Sequence, residues 1–294
     1  MSVRTVFVIG ASGNVGKATV KALSANHGGS LDIRAGVRNP EKASDLDSLL
    51  SVTVVRAEMG KRDELVEIFQ GVDVLFIVVP GAPDRVELTR ITAEAARDAR
   101  VKHILTIGAF GKPNLALTRQ MREIENIITN LGPNYTILRL PWFMDNFFGF
   151  KDTIQKFSAI YDSIDPSKRF PTVCMDDLGL AAATLMATAS KRNAHEEYSM
   201  VSDRHTFHDI VKAFSDALGK DITYTQQSYE EAKAAWLQMG AVSEQQIDGL
   251  IEYWKAVNAG EYEKGDNDSD FTAITGKQPT NIAAWVQRYA NVFK

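Results

Sequence analysis

Cysteine is nearly missing from this chain: Cys174 is the only one in 294 residues. A lone thiol closes no internal disulfide, which removes the disulfide-stapled scaffolds and fits a reducing compartment. Long apolar runs are missing too. No stretch of about 18 apolar residues occurs, so no membrane-spanning helix is expected. The opening MSVRTVFVIG enters a strand-like run at once, without the apolar leader and cleavage site of a signal peptide. Neither sign of charge is in excess: 33 Lys and Arg stand against 37 Asp and Glu, a net charge of −4. Such mild acidity argues against nucleic acid as a direct partner, because phosphate-binding surfaces are basic. With 20 glycines and 9 prolines the chain is neither collagenous nor of low complexity, and it shows no internal repeat. What remains is the expectation of a folded, soluble, cytoplasmic protein, longer than a typical single domain of about 100–200 residues.

The first half alternates strand-like and helix-like segments. Strands are expected at 5–9, 33–37, 52–57, 72–79, 101–107 and 135–140. Helices are expected at 14–25, 61–70, 83–99 and 117–131. Continuous apolar strands separated by helices imply a doubly wound parallel α/β sheet of Rossmann type, covered on both faces. The pattern loosens after residue 150. Helices are expected at 176–189, 207–218, 229–239, 243–259 and 280–293, strands at 197–201 and 222–225, and a polar loop at 260–270. This divides the chain into a Rossmann-type sheet domain, 1–150, and a smaller α+β C-terminal lobe, 151–294, with some later segments returning to the sheet.

The strongest single signal is the strand TVFVI followed by Gly10-Ala-Ser-Gly13-Asn-Val-Gly16 and a helix. Gly10 permits a tight turn out of the strand, Gly13 lets phosphate oxygens approach the backbone, and Gly16 lets the helix pack closely. The helix N-terminus offers amide groups, Val15 among them, and the positive end of its dipole to a pyrophosphate. Ser12 and Asn14 add side-chain donors. The first strand–turn–helix of an alternating chain is the context this motif requires.

About 20 residues beyond such a loop, the end of the second strand meets the adenosine ribose. Here that end reads Ala35-Gly36-Val37-Arg38-Asn39-Pro40, with no acid to accept from a 2′-hydroxyl. A guanidinium matches a 2′-phosphate in charge and in its fork of donors. Arg38, with Arg34 on the same face and Lys42 close behind, therefore favours NADP(H) over NAD(H). The plainer reading of Arg38 is a solvated arginine at a strand end.

Together GASGNVG, AGVRNPEKA at 35–43 and NYTILRLPWFMDNF at 134–147 resemble the NmrA-like family of atypical short-chain dehydrogenase/reductases. FTAITGKQPTNIAAWV at 271–286 is similar to that family's closing segment, so the resemblance covers nearly the whole chain. It implies cofactor contacts at successive strand ends. Glu58 and Met59 would lie near the adenine, where an acid followed by an amide is commoner. Val78, Val79 and Pro80 would line the nicotinamide ribose. Ile107, Gly108 and Ala109 end the fifth strand, and Pro141, Trp142 and Phe143 would face nicotinamide and substrate.

Short-chain reductases ordinarily carry Tyr-x-x-x-Lys on the helix after the fifth strand, the lysine lowering the tyrosine pKa. That helix here has neither residue, and Met121 stands where many family members keep a lysine. Arg119 and Arg122 cannot serve as acid or base, though either could hold phosphate or ribose. Thr106 and Tyr135 read as strand residues, and Tyr229-Glu-Glu-Ala-Lys233 comes about a hundred residues too late. No catalytic residue is assigned. Two functions stay open. One is an NADPH-dependent reductase of small planar apolar acceptors, quinone- or dye-like, by direct hydride transfer; the aromatic stretch 142–150 would suit such a substrate. The other is a non-catalytic NADP(H)-sensing regulator that acts through a protein partner. A homodimer is one open arrangement. His205-x-x-His208 lacks a third ligand, so no metal is expected; Ser202 or Asp203 is expected to cap the following helix. Cys174, at a strand–helix junction, is either a thiol of lowered pKa or a packed one.

Overall fold

The computed structural model describes residues 3–111, 115–189, 195–239, 243–263 and 269–294. Its first half runs β1 (Arg4–Ile9), α1 (Asn14–His27), β2 (Leu31–Val37), α2 (Ser44–Asp47), β3 (Val52–Arg56), α3 (Arg62–Ile68), β4 (Val74–Ile77), α4 (Arg85–Asp98), β5 (His103–Ala109), α5 (Ala116–Thr129) and β6 (Asn134–Leu140). Then follow β7 (Trp142–Phe143), α6 (Lys151–Phe157), β8 (Ala159–Asp162), β9 (Phe170–Val173), α7 (Met175–Thr188), β10 (His195–Ser199), β11 (Asp203–His205), α8 (Phe207–Leu218), β12 (Thr223–Gln226), α9 (Tyr229–Met239), α10 (Glu244–Asn258), α11 (Phe271–Thr275) and α12 (Ile282–Tyr289). The expected elements are all present within a few residues of their bounds. Of the polar loop expected at 260–270, residues 264–268 lie outside the described residues.

Seven strands form one parallel sheet in the order β10-β6-β5-β4-β1-β2-β3. Its central strands β1, β4 and β5 are buried on both faces because helices cover both. Alternate residues of a strand point to opposite faces. Val6 and Val8 of β1 accordingly enter the core under α1 and α7, while Phe7 and Ile9 enter the core that holds Leu65 of α3 and Ala93 and Ala96 of α4. The second half does return to the sheet: β10 pairs with β6, and α7 packs along α1. A Cβ on Gly179 would stand 2.7 Å from the Ala18 carbonyl carbon, which is backbone and cannot yield. Gly179→Val is expected to lower stability by about 3 kcal/mol, read from the midpoint of urea unfolding. An unchanged midpoint would mean that α1 and α7 separate freely.

The other later elements build a second core, to which the small sheets β11-β9-β7 and β12-β8 contribute Phe170 and Ile160. Three acids lock the closing segment in place. Asp177 accepts from the Thr280 amide (2.8 Å), the Thr280 hydroxyl (2.9 Å) and the Ser202 hydroxyl (2.6 Å). Asp203 accepts from the Ile282 amide at 2.7 Å, and Asp270 from the Ser199 amide at 2.7 Å. Asp203 and Ser202 are thus not helix caps, contrary to the sequence expectation. Thr206 caps α8 instead, in a reciprocal box with Asp209. Among the described residues no helix is long and apolar enough to cross a membrane.

Candidate functional site

The chain winds outward from β1 to β3, then reverses past β1 to β4. In open α/β sheets the crevice at such a reversal, outside the carboxyl ends of the strands, is where ligands bind. The glycine loop sits there. Gly10, at φ +81°, makes a turn that side-chain-bearing residues resist. Its amide and that of Ala11 donate to the Gly36 carbonyl at 3.1 and 3.0 Å, so the loop is stitched to the end of β2. A Cβ on Gly16 would stand 2.3 Å from the Gly10 carbonyl oxygen; its absence lets α1 seat against the loop. Gly13 differs. A Cβ there would meet only the Gly10 carbonyl oxygen, at 3.4 Å, and otherwise open space. No side chain caps α1 and no acid occupies its first turn, so its leading amides are free to meet an anion. Ser12, Gly13 and Asn14 are exposed beside them, whereas Val15 and Gly16 are buried and present backbone only.

The structure gathers several of the sequence-derived residues around this loop. A Cβ on Gly10 would lie 3.2 Å from Val78 and 3.8 Å from the Met59 methyl, so the ends of β3 and β4 converge on it. The Ala57 amide donates to the Val37 carbonyl at 2.9 Å and sets Glu58 beside the end of β2. Val79, Pro80 and Glu58 are half-buried. Arg38 is exposed just past β2, and it makes no hydrogen bond or ion pair with a described residue. Lys42 is exposed nearby in a short turn of 3-10 helix. Arg34 does not join them: its Nε is 3.1 Å from the Asp32 carboxylate.

On the other side of β1, Ile107, Gly108 and Ala109 end β5 as buried residues. Glu125 of α5, which sequence reasoning missed, holds this end. It accepts from the Ala109 amide (3.2 Å), from Arg122 (2.7 Å) and from Arg139 (2.9 Å), and Arg139 also pairs with Glu197 at 2.8 Å. A Cβ on Gly108 would stand 2.3 Å from the Glu125 carboxylate, so glycine there makes room for the acid. Arg122 also donates to the Gly111 carbonyl at 3.0 Å. It is committed to the fold rather than free to hold phosphate. The signal was present: a lone Glu on the apolar stripe of α5 opposite an Arg inside a strand.

Pro141, Trp142 and Phe143 are half-buried where β6 passes into β7. Trp142 packs on the second core and Phe143 on the sheet core, so the pair straddles the junction. The rest of the aromatic stretch departs from the sequence reading. Phe147 is fully buried, edge-on to Trp142 and Trp285, and Phe148 packs between Trp285, Tyr289 and Phe293. These rings build the core instead of lining a cleft. Met121 is half-buried against the sheet core, Thr106 donates to the Ile77 carbonyl at 3.3 Å, and Tyr135 stacks on His195 (4.5 Å between centroids) at the opposite end of the strand. Lys233 is paired with Glu244 and Asp248, which leaves the late Tyr-x-x-x-Lys string structural. Burial pushes the Cys174 thiol above its ordinary pKa, as in a packed thiol. His205 is buried with Nδ1 3.3 Å from Asp203, and no cluster able to hold a metal occurs among the described residues.

Three comparisons bear on this arrangement. The model of the NmrA-like family matches residues 2–285. Among characterised relatives, the NAD(P)H azoreductase of Xenophilus azovorans is 24% identical over 292 residues, 98% of this chain and 99% of the relative. The quinone oxidoreductase 2 of Escherichia coli is 25% identical over 294 residues, again 98% and 99% of the two chains. Among solved structures, the Citrobacter sp. triphenylmethane reductase complexed with NADP(H) superposes with a TM-score of 0.83 at 27% identity, covering 96% of this chain and 99% of that one.

Proposed function

The chain belongs to the NmrA-like family, and from that premise we propose that it is an NADPH-dependent reductase of planar apolar acceptors, quinone- or dye-like. The observation that carries the proposal is the open cradle at Gly13: uncapped helix amides, no acid in the first turn, and space where a Cβ would stand. That cradle suits a pyrophosphate, and the exposed guanidinium of Arg38 at the end of β2, which pairs with no described residue, suits a 2′-phosphate. The residues present therefore fit NADP(H). When bound, the dinucleotide supplies the hydride. The chain binds and orients it: the α1 amides, Ser12 and Asn14 hold the phosphates, Arg38 and Lys42 the 2′-phosphate, and Glu58 and Met59 flank the adenine. Adenosine on the β2–β3 side leaves the nicotinamide to the β4–β6 side, among Val78, Val79, Pro80, Ala109 and the Pro141–Phe143 corner. The acceptor would enter between that corner and the later elements. The full-length relatives named as azoreductase, quinone oxidoreductase and triphenylmethane reductase support this reading over the regulator.

Arg38→Ala tests the cofactor assignment. NADPH affinity is expected to fall about 10- to 100-fold, the loss of one charge-assisted fork, with NADH affinity little changed, both measured by calorimetry. Equal losses for the two would remove the 2′-phosphate role.

A further inference from the structure

The reductase reading leaves one atom without a source. An azo bond that accepts a hydride on one nitrogen must take a proton on the other, and no residue placed so far can give it. Resting on that reading, we propose that Tyr262 is a catalytic residue: its hydroxyl donates this proton to the acceptor at the mouth of β5.

Tyr262 follows α10 and reaches across to the sheet. Its ring lies on Gly111, two residues past the end of β5. A Cβ on Gly111 would stand 2.7 Å from the Tyr262 hydroxyl oxygen and 2.8 Å from its Cε1, and Gly111 holds φ at +94°. Only glycine satisfies both the backbone and this approach. The adjoining Phe110 amide donates to the Leu140 carbonyl at 3.1 Å, which ties this spot to the Pro141–Phe143 corner. Phe110, Trp142 and Tyr262 all belong to the second core. The hydroxyl is thus held on the side of the sheet where the nicotinamide and acceptor are placed.

Its surroundings suit a donor. The Tyr262 carbonyl accepts from Arg204, whose guanidinium also lies over the Phe110 ring at 5.8 Å. The Glu261 amide donates to the Ala256 carbonyl at 3.1 Å. The backbone is therefore pinned on both sides of the ring. Tyr262 is 5% exposed, and its hydroxyl makes no hydrogen bond with a described residue. The Tyr253 hydroxyl beside it, with ring centroids 5.3 Å apart, is buried without a hydrogen bond to a described residue. Burial and the Glu261 carboxylate push the Tyr262 pKa up to about 12, so the phenol holds its proton until a strong base forms beside it, and the nitrogen left negative by hydride addition is such a base.

The step balances. The acceptor R–N=N–R takes a hydride from the reduced nicotinamide on one nitrogen. The other nitrogen takes the Tyr262 proton as the O–H bond breaks, giving R–NH–NH–R, and water reprotonates the phenolate. A cationic triphenylmethane dye takes a hydride on its central carbon to give a neutral product and needs no proton. The pair of acceptors separates chemistry from packing.

The experiment compares wild type and Tyr262→Phe, which keeps the ring on Gly111, with a neutral azobenzene-type dye and a cationic triphenylmethane dye. The kcat for the azo dye is expected to fall about 100-fold, the scale of general acid catalysis, while the cationic dye and the NADPH affinity stay within about twofold of wild type, below the scale of one lost hydrogen bond. Without NADPH, azo-dye binding read from the dye's own absorbance is expected to weaken about fivefold, one lost hydrogen bond. Equal losses with both dyes, or no loss with the azo dye, overturn the assignment. So does a wild type that reduces only the cation, though the reductase reading then stands. A wild type that binds NADPH and reduces neither dye overturns both.

Discussion

Gly13→Val is expected to abolish NADPH binding in a protein that still folds. The two halves of that result have separate causes. Valine's Cβ meets only one carbonyl oxygen at 3.4 Å, an ordinary contact, and the backbone at this N-cap is extended at φ −76°, so little in the fold resists it. The branched side chain instead fills the space over the α1 amides where phosphate oxygens must come within hydrogen-bond distance. Calorimetric titration with NADPH, beside thermal unfolding, separates the two. Undiminished affinity in the folded variant would remove the phosphate cradle from Gly13. Gly16→Val is the contrasting control. Its Cβ would stand 2.3 Å from the Gly10 carbonyl oxygen and 2.7 Å from the Ala11 Cα, so it is expected to destabilise the protein itself.

Glu125→Ala carries the second large effect. Glu125 is 4% exposed and joins two arginines to the end of β5. Removing it leaves Arg139 to Glu197 and Arg122 to the Gly111 carbonyl, and breaking a buried pair from one side costs about 3–5 kcal/mol. The side chains of Arg122 and Arg139 stay 26% and 28% exposed, so about 3 kcal/mol is the expected loss in urea unfolding. Glu125→Gln retains the acceptor oxygen for the Ala109 amide and is expected to cost less. If the alanine variant unfolded at the wild-type midpoint, the network would be ornament rather than anchor.

The parts of this molecule that could be read in the sequence are those governed by local rules. β1 and the glycine loop declared themselves because an apolar run, three glycines and a helical stripe are adjacent in the chain. Arg38 is reached by counting from that loop, and it lies exposed just past β2. The strand near residue 197 was legible, but its place beside β6 was not, because pairing depends on contacts distant in sequence. The same holds for Asp177, whose partner Thr280 lies far along the chain, and for Glu125, whose role appears only when β5, α5 and β6 meet. Phe147 and Phe148 of the aromatic stretch are core and not cleft, and ring composition does not say which face of a segment meets a core. Tyr262 sits in GEYEKGD, a segment whose polarity reads as solvated loop; only its approach to Gly111 sets it apart.

The most direct test of an NADPH-dependent reductase is a paired measurement on one wild-type sample: calorimetric titration with NADPH and NADH, then NADPH absorbance followed with quinone and dye acceptors. The expected result is binding that clearly favours NADPH, and oxidation of NADPH that depends on the acceptor. Tight NADPH binding without turnover on any acceptor would contradict the reductase and favour the regulator, and binding of neither dinucleotide would contradict the site itself.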